Sequence, residues 1–318
     1  MKRLLLAATI GLAAISGYAQ DYPSRAITIT VPNPPGGMNQ IHAQPLSAIV
    51  EKLANQPAPI VNRSGGTAAI GTAYVANQPP DGYNILVTTP NLYLVIEKDK
   101  LYGIKSPFAL NQIALIALMS ADPLIMVVHP SMPVKNVKEL NALAKSKPNE
   151  IVFSSSGPYG ITHTPMAMYM DATGVKMRHL PTTGGGPAIV QALGGHSQVT
   201  AGGPAAVFSH VNSGKLRALA SWGLKAHPAL PKVPTFKSMG YDVEAYLWVG
   251  LFTTAGVPEP IFSKMRALVG KVANDAGFKK ALETVHIVPD YRDTPEFQKF
   301  FDADYKRMAA AIKKIGKL

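Results

Sequence analysis

The sequence predicts an α/β fold with largely parallel sheets. Three observations carry that expectation. Short apolar runs alternate with stretches of helical periodicity along the chain. Glycine-rich corners close several of these runs. The composition, 47% hydrophobic and 16% charged over 318 residues, is that of a globular chain. At roughly 150 residues per domain, that length has room for two. In such folds ligands bind beyond the C-terminal ends of the strands.

In chain order, segments 27–31, 60–61, 85–88, 124–128, 151–154, 177–180, 198–201 and 216–220 read as strands. Leu46, Ile49, Val50 and Leu53 recur at i, i+3, i+4 and i+7, which predicts a helix. Pro45 lacks an N–H, so it is expected in the first turn of that helix or at a kink. Segments 137–145 and 187–193 read as further helices, with Pro187 expected at the first helical position. Segments 260–273 and 294–315 complete the set of helices. Thr294 is expected as N-cap, with Pro295 next and Glu296 in the first turn. Phe297, Phe300, Phe301, Tyr305 and Met308 give the last helix a core-packing stripe.

The start of the chain has the form of a secretory signal. Lys2 and Arg3 precede an apolar run over 4–15, and Gly17-Tyr18-Ala19 supplies small residues for cleavage. Residues 1–19 are expected to be removed and the mature protein exported. No later segment is long and apolar enough to span a bilayer. The chain has no cysteine, which excludes thiol catalysis and Cys-based metal sites. Lys+Arg minus Asp+Glu is 31 − 19 = +12, or 29 − 19 = +10 without Lys2 and Arg3. The basic residues are scattered, dense only over 306–317, and accompany no nucleic-acid motif. A positive field favours capture of a small anion.

Four loops could carry chemistry: Pro34-Pro35-Gly36-Gly37, Ser64-Gly65-Gly66-Thr67, Gly184-Gly185-Gly186-Pro187, and the serine-rich stretch from Ser154 to His163. Glycine lets backbone approach a ligand, and a helix N-terminus offers unpaired N–H groups to an anion. Enzyme signatures are missing. The sequence has no phosphate-binding glycine motif, no GxSxG elbow and no HExxH. A Ser155–His163 pair is conceivable, but no acid is in place to orient it.

These strings carry a resemblance. YPSRAITITVPNPPGG, NRSGGTAAIGTAYVANQPPDGYNIL, HPSMPVKNVKELNALAKSKP, FSSSGPYGITH, HLPTTGGGPAIVQALGGH, SGKLRALASWGLKAHPALPKVPTFKSMGY and LWVGLFTTAGVPEPI, in this order, resemble the solute-binding proteins of tripartite tricarboxylate transporters, the TctC or Bug type. The likeness runs from about Tyr22 to the C-terminus. It implies a periplasmic binding protein-like fold of two α/β lobes joined by two crossing strands, with the ligand cleft between them. Lobe 1 would be 20–122 and 247–318, lobe 2 would be 123–246, and the crossings would lie near 121–127 and 246–253. It implies a monomer without catalysis, cofactor, metal or nucleic-acid partner. Such a protein takes a small-molecule carboxylate in the periplasm and passes it to membrane permease subunits.

Carried over by position, the near-lobe site residues are Pro35, Gly36, Gly37, Met38, Asn39, Thr89 and Asn91. Those of the far lobe are Ser155, Gly157, Tyr159, Gly160, Thr162, His163, Thr182, Thr183, Gly184, Gly202 and Gly203. The chain departs from the family in three places. It has Met38-Asn39-Gln40 where one residue followed by Thr-Asp is usual, Thr182-Thr183 where Tyr-Lys is frequent, and Gly202 where many have Asp. Fewer acids should ease repulsion toward a second carboxylate and disfavour ammonium ligands. Small residues near Tyr93, Tyr159 and Trp248 suggest an aromatic mono- or dicarboxylate, terephthalate-like, stacked on a ring. An aliphatic di- or tricarboxylate is the competing ligand. An exported ester hydrolase and a ligand-presenting partner of a membrane sensor are the competing functions.

Overall fold

The computed structural model describes residues 22–318, so the expected signal segment 1–19 lies outside the described residues. The strands, in chain order, are β1 (Thr28–Val31), β2 (Ile60–Asn62), β3 (Asn84–Thr88), β4 (Ile113–Pro123), β5 (Ile125–Val128), β6 (Val152–Ser155), β7 (Arg178–Pro181), β8 (Val199–Gly202), β9 (Arg217–Ser221), β10 (Tyr246–Thr254) and β11 (Pro289–Asp293). The helices are α1 (Met38–Ala54), α2 (Ala69–Ala76), α3 (Asn91–Tyr102), α4 (Val137–Ser146), α5 (Thr164–Thr173), α6 (Gly185–Leu193), α7 (Pro204–Asn212), α8 (Glu259–Asn274), α9 (Ala276–Thr284) and α10 (Thr294–Ile315).

Two sheets result, ordered β11-β4-β10-β3-β1-β2 and β7-β6-β8-β5-β9. The sheets are mixed rather than largely parallel. Strands β1, β2 and β3 run parallel, as do β6, β7 and β8. Strand β10 is antiparallel to β3 and β4, and β5 is antiparallel to β8 and β9. Strands β5 and β10, beside the passages between lobes, run against the parallel strands of their sheets, and the edge strand β11 is antiparallel to β4. The first crossing is the short step from β4 to β5 at Leu124. The second ends at Ala245, just before β10, which lies wholly in the first sheet. Leu124, Trp222 and Ala245 tie the junction with backbone bonds of 2.9–3.3 Å.

Alternation along the strands decides which core each side chain joins. Ile29, Val31, Ile85 and Val87 pack under α1, α8 and α9, whereas Leu86 faces the other side of the sheet. There Tyr93 and Trp248 are fully buried among Phe252 of β10 and Phe297 and Phe301 of the predicted aromatic stripe. Their two polar tips converge on one buried acid: Tyr93 Oη donates to Asp304 Oδ2 at 2.5 Å and Trp248 Nε1 at 2.7 Å.

Three expectations at helix ends are corrected. Helix α1 starts at Met38 and continues past Pro45, which therefore sits in its interior and not in its first turn. Burial of Ala43, Leu46 and Val50 against the sheet offsets the lost hydrogen bond. Helix α6 starts at Gly185, which puts Pro187 at its third position. The first intrahelical bond is donated by Ala188, so Pro187 forfeits nothing. Asp293, not Thr294, caps α10, its carboxylate accepting from Thr294 N.

Candidate functional site

Helices α1, α2 and α3 follow the parallel strands β1, β2 and β3, so all three N-termini open at one sheet edge. Helices α5, α6 and α7 do the same after β6, β7 and β8. The two edges face each other. Asn91, the first residue of α3, accepts a 3.0 Å hydrogen bond from Ile161 N of the serine-rich loop. A Cβ placed on Gly203, before α7, would lie 3.1 Å from Met38 Cε at the start of α1. A Cβ on Gly157 would lie 3.8 Å from Thr67 Oγ1, before α2. Six helix N-termini therefore converge on one interlobe cleft.

None of the six is capped by a side chain; the N-cap residues are Gly37, Ala68, Pro90, His163, Gly184 and Gly203. None carries an acid in its first turn. The N-termini thus keep an uncompensated partial positive charge, although loop carbonyls already take part of their N–H groups: Leu92 and Tyr93 donate to Thr89 and Pro90, and His163 and Thr164 both donate to Gly160. Buried polar atoms without partners stand nearby in sequence, Thr88 Oγ1 at the end of β3 and Asn39 Oδ1 in α1. The corner before α2 is strained. Gly65, Gly66, Thr67 and Ala68 have φ of 134, 57, 56 and 77°, a run that costs energy for the two non-glycines.

The far-lobe loop is held from within. Ser156 N donates to Thr162 Oγ1 at 2.7 Å, and that hydroxyl donates to Ser156 Oγ at 2.9 Å. Thr182 Oγ1 lies 2.8 Å from the carbonyl oxygens of both Ser155 and Gly184. Below the loop Ser155 Oγ lies 2.6 Å from His179 Nε2, and the His163 and His179 rings are 4.3 Å apart. His179 is a site-region residue that the sequence reading missed. Its place beside Ser155 follows only from the pairing of β6 with β7. Burial, together with the neighbouring His179, pushes His163 down to about 3. Burial pushes His179 down to about 4. His163 Nδ1 accepts from Tyr159 N, so its proton sits on Nε2.

On the near lobe Pro35 and Gly36 are exposed, Gly37 and Met38 half-buried, and Asn39, Thr89 and Asn91 buried. Asn91 must accept through Oδ1, which fixes its amide and turns its N–H groups to other partners. On the far lobe Ser155, Gly157, Gly160, Thr162 and His163 are buried, while Thr183 is exposed and Gly184 half-buried.

Several expectations do not hold. Tyr93 and Trp248 offer no face to a ligand, because both are 0% exposed and saturated by Asp304. Tyr159 is 3% exposed and turns outward. Its hydroxyl meets Tyr102 Oη at 3.0 Å and donates to Gly316 O at 2.8 Å. Gly202 does not enlarge the cleft; a Cβ there would strike Val207 Cγ1 at 2.8 Å and Ile189 Cδ1 at 3.1 Å, under α7 and α6. The histidine bonded to Ser155 is His179, not His163, and Ser155 is fully buried, which suits a structural hydroxyl rather than a nucleophile.

The fold and the cleft can be set beside known proteins. The family model described as "Tripartite tricarboxylate transporter family receptor" matches residues 43–317. The chain belongs to this family. Protein BugT of Bordetella pertussis is 27% identical over 311 residues, covering 97% of this chain and 94% of that protein. The crystal structure of a TctC solute binding protein from Polaromonas has 29% identity and a TM-score of 0.73, covering 92% of this chain and 99% of that one. An R. palustris protein solved with adipate has 22% identity and a TM-score of 0.83, covering 93% and 98%. The family is one of periplasmic substrate-binding receptors, not of enzymes.

Proposed function

We propose that the protein captures a small organic carboxylate between its lobes and delivers it to the membrane subunits of a tripartite tricarboxylate-type transporter. The observation that carries this reading is the convergence of six uncapped helix N-termini without a first-turn acid. An oxyanion between them would receive the hydrogen bonds that side-chain caps supply elsewhere. On this reading the binding residues are Gly36 to Asn39, Thr89 and Asn91 on lobe 1 (20–122 and 247–318). On lobe 2 (123–246) they are the loop from Ser155 to His163, Thr182 to Gly184, and Gly203. The chain acts as an exported monomer after loss of residues 1–19.

Terephthalate-like aromatic acids and aliphatic di- or tricarboxylates both fit this chemistry. The burial of Tyr93 and Trp248 removes the stacking surfaces that favoured an aromatic ring, and the solved relative with adipate supports an aliphatic chain. The test is mass spectrometry of the small molecule released from purified protein, with thermal-shift screening of carboxylates. A ligand at 100 times its Kd should stabilise the fold by about 2.7 kcal/mol. A released ligand without an acidic group would sink the proposal, as would a panel in which no carboxylate raises the melting temperature.

A further inference from the structure

We propose that Met38 determines specificity by giving the hinge end of the cleft an apolar floor, so that the bound acid presents an uncharged end there. The inference rests on the carboxylate reading above and narrows it.

Gly203 follows β8, which lies beside the crossing strand β5, and its Cβ would meet both Met38 and Leu247 of the crossing strand β10, so this contact lies at the hinge end of the cleft. Strands β2 and β7 are sheet edges, so Thr67, Gly157 and Thr182 lie at the far end of the cleft. The two ends differ in chemistry. At the hinge end, Met38 packs against the hydrophobic clusters on both faces of the first sheet. A Cβ on Gly203 would meet Leu247 Cδ2 at 2.9 Å as well as Met38 Cε at 3.1 Å. Leu247 is in register with Asp122, beside the first crossing. The first residue of α7 is Pro204, which has no N–H to offer. The far end is built from Thr67, Thr182, Thr183 and the Gly184–Gly186 amides before and within α6.

A carboxylate is therefore held toward the serine-rich loop and α6, and the rest of the ligand runs toward Met38 and Leu247. A second carboxylate on that floor would lose water and meet a methyl group and a proline. Methionine suits such a floor because its thioether adapts to varied apolar shapes. Among aromatic ligands the same floor selects a benzoate-like acid over a terephthalate-like one.

The experiment is isothermal titration of the mature chain with hexanoate and adipate, which share a six-carbon chain and differ in one carboxylate. The wild type should bind hexanoate more tightly, by a factor on the order of ten. Met38→Thr should remove most of that preference, and Met38→Leu should keep it. Because the readout is a ratio of two affinities in the same variant, partial loss of folded protein cancels. Gly203→Ala should weaken both ligands by forcing Met38 and Leu247 aside. Equal or adipate-favoured binding by the wild type overturns the floor, and so does a ratio unmoved by Met38→Thr. Wild type that binds malate or citrate but not hexanoate overturns the floor and leaves the carboxylate reading standing. Wild type that binds none of these acids, nor benzoate or terephthalate, overturns both.

Discussion

Among the described residues, six helices begin at the cleft and four begin elsewhere, and the two sets start in opposite ways. Away from the cleft, Asn136, Asp275 and Asp293 cap α4, α9 and α10 through their side chains. Glu139, Glu259 and Glu296 stand in the first turns of α4, α8 and α10. Around the cleft, glycine, alanine, proline and histidine hold the cap positions and first-turn acids are missing. A side-chain cap is worth about 1 kcal/mol to its helix. Its omission at six neighbouring ends gives up local stability and leaves their positive ends without an internal counter-charge. The same helix physics serves the fold at one set of ends and, on the proposed reading, recognition at the other.

The contrast breaks most openly if the aromatic cluster takes part in binding. Asp304→Ala strands two buried donors, Tyr93 Oη and Trp248 Nε1, and leaves Arg307 without its Asp304 partner. It should cost about 3 kcal/mol in urea unfolding, with the ranking of ligands unchanged. A change of ranking would return those rings to the site. The next effect moves a cap into the cleft. Gly184 has extended backbone, and its Cβ would find only Pro187 Cδ at 3.8 Å. Gly184→Asp should weaken carboxylate binding on the order of 100-fold, by titration calorimetry, without lowering the melting temperature. Asn136→Ala is the mirror experiment. It should cost about 1 kcal/mol of stability and leave Kd where it was.

A separate effect is a pH slope. His42, His163 and His179 are pushed down to about 4, 3 and 4, chiefly by burial. Below about pH 6.5 the unfolded chain takes up protons at these positions while the folded chain does not. Stability should therefore be flat in these groups above that pH and fall as the pH drops toward 4. His163→Gln should make the slope shallower in thermal melts. An unchanged slope would mean that His163 does not contribute to it.

The strand and helix alternation was legible in the sequence because burial on sheet faces imprints short apolar runs. The expected strands and the observed ones mostly differ by one residue at their ends, as 151–154 against Val152–Ser155 illustrates. Helix starts were harder to place. Any of the first three positions spends no hydrogen bond, so Pro187 fits the third as well as the first. Tyr93 and Trp248 could not be assigned from their own neighbourhoods. Their burial depends on Asp304, which is 211 and 56 residues away in sequence. His179 was hidden for the same reason, since only the β6–β7 pairing brings it to Ser155. Gly202 was misread because the sequence does not say which side of β8 faces α6 and α7.

Tyr159 belongs to the serine-rich loop, yet its hydroxyl bonds to the C-terminal segment of the chain. It is shared with Tyr102, with Gly316 O and with Leu318 N at 2.9 Å. The last residues of the chain are thus a handle on the cleft. A fluorophore on Lys317 reads the set of that loop from outside.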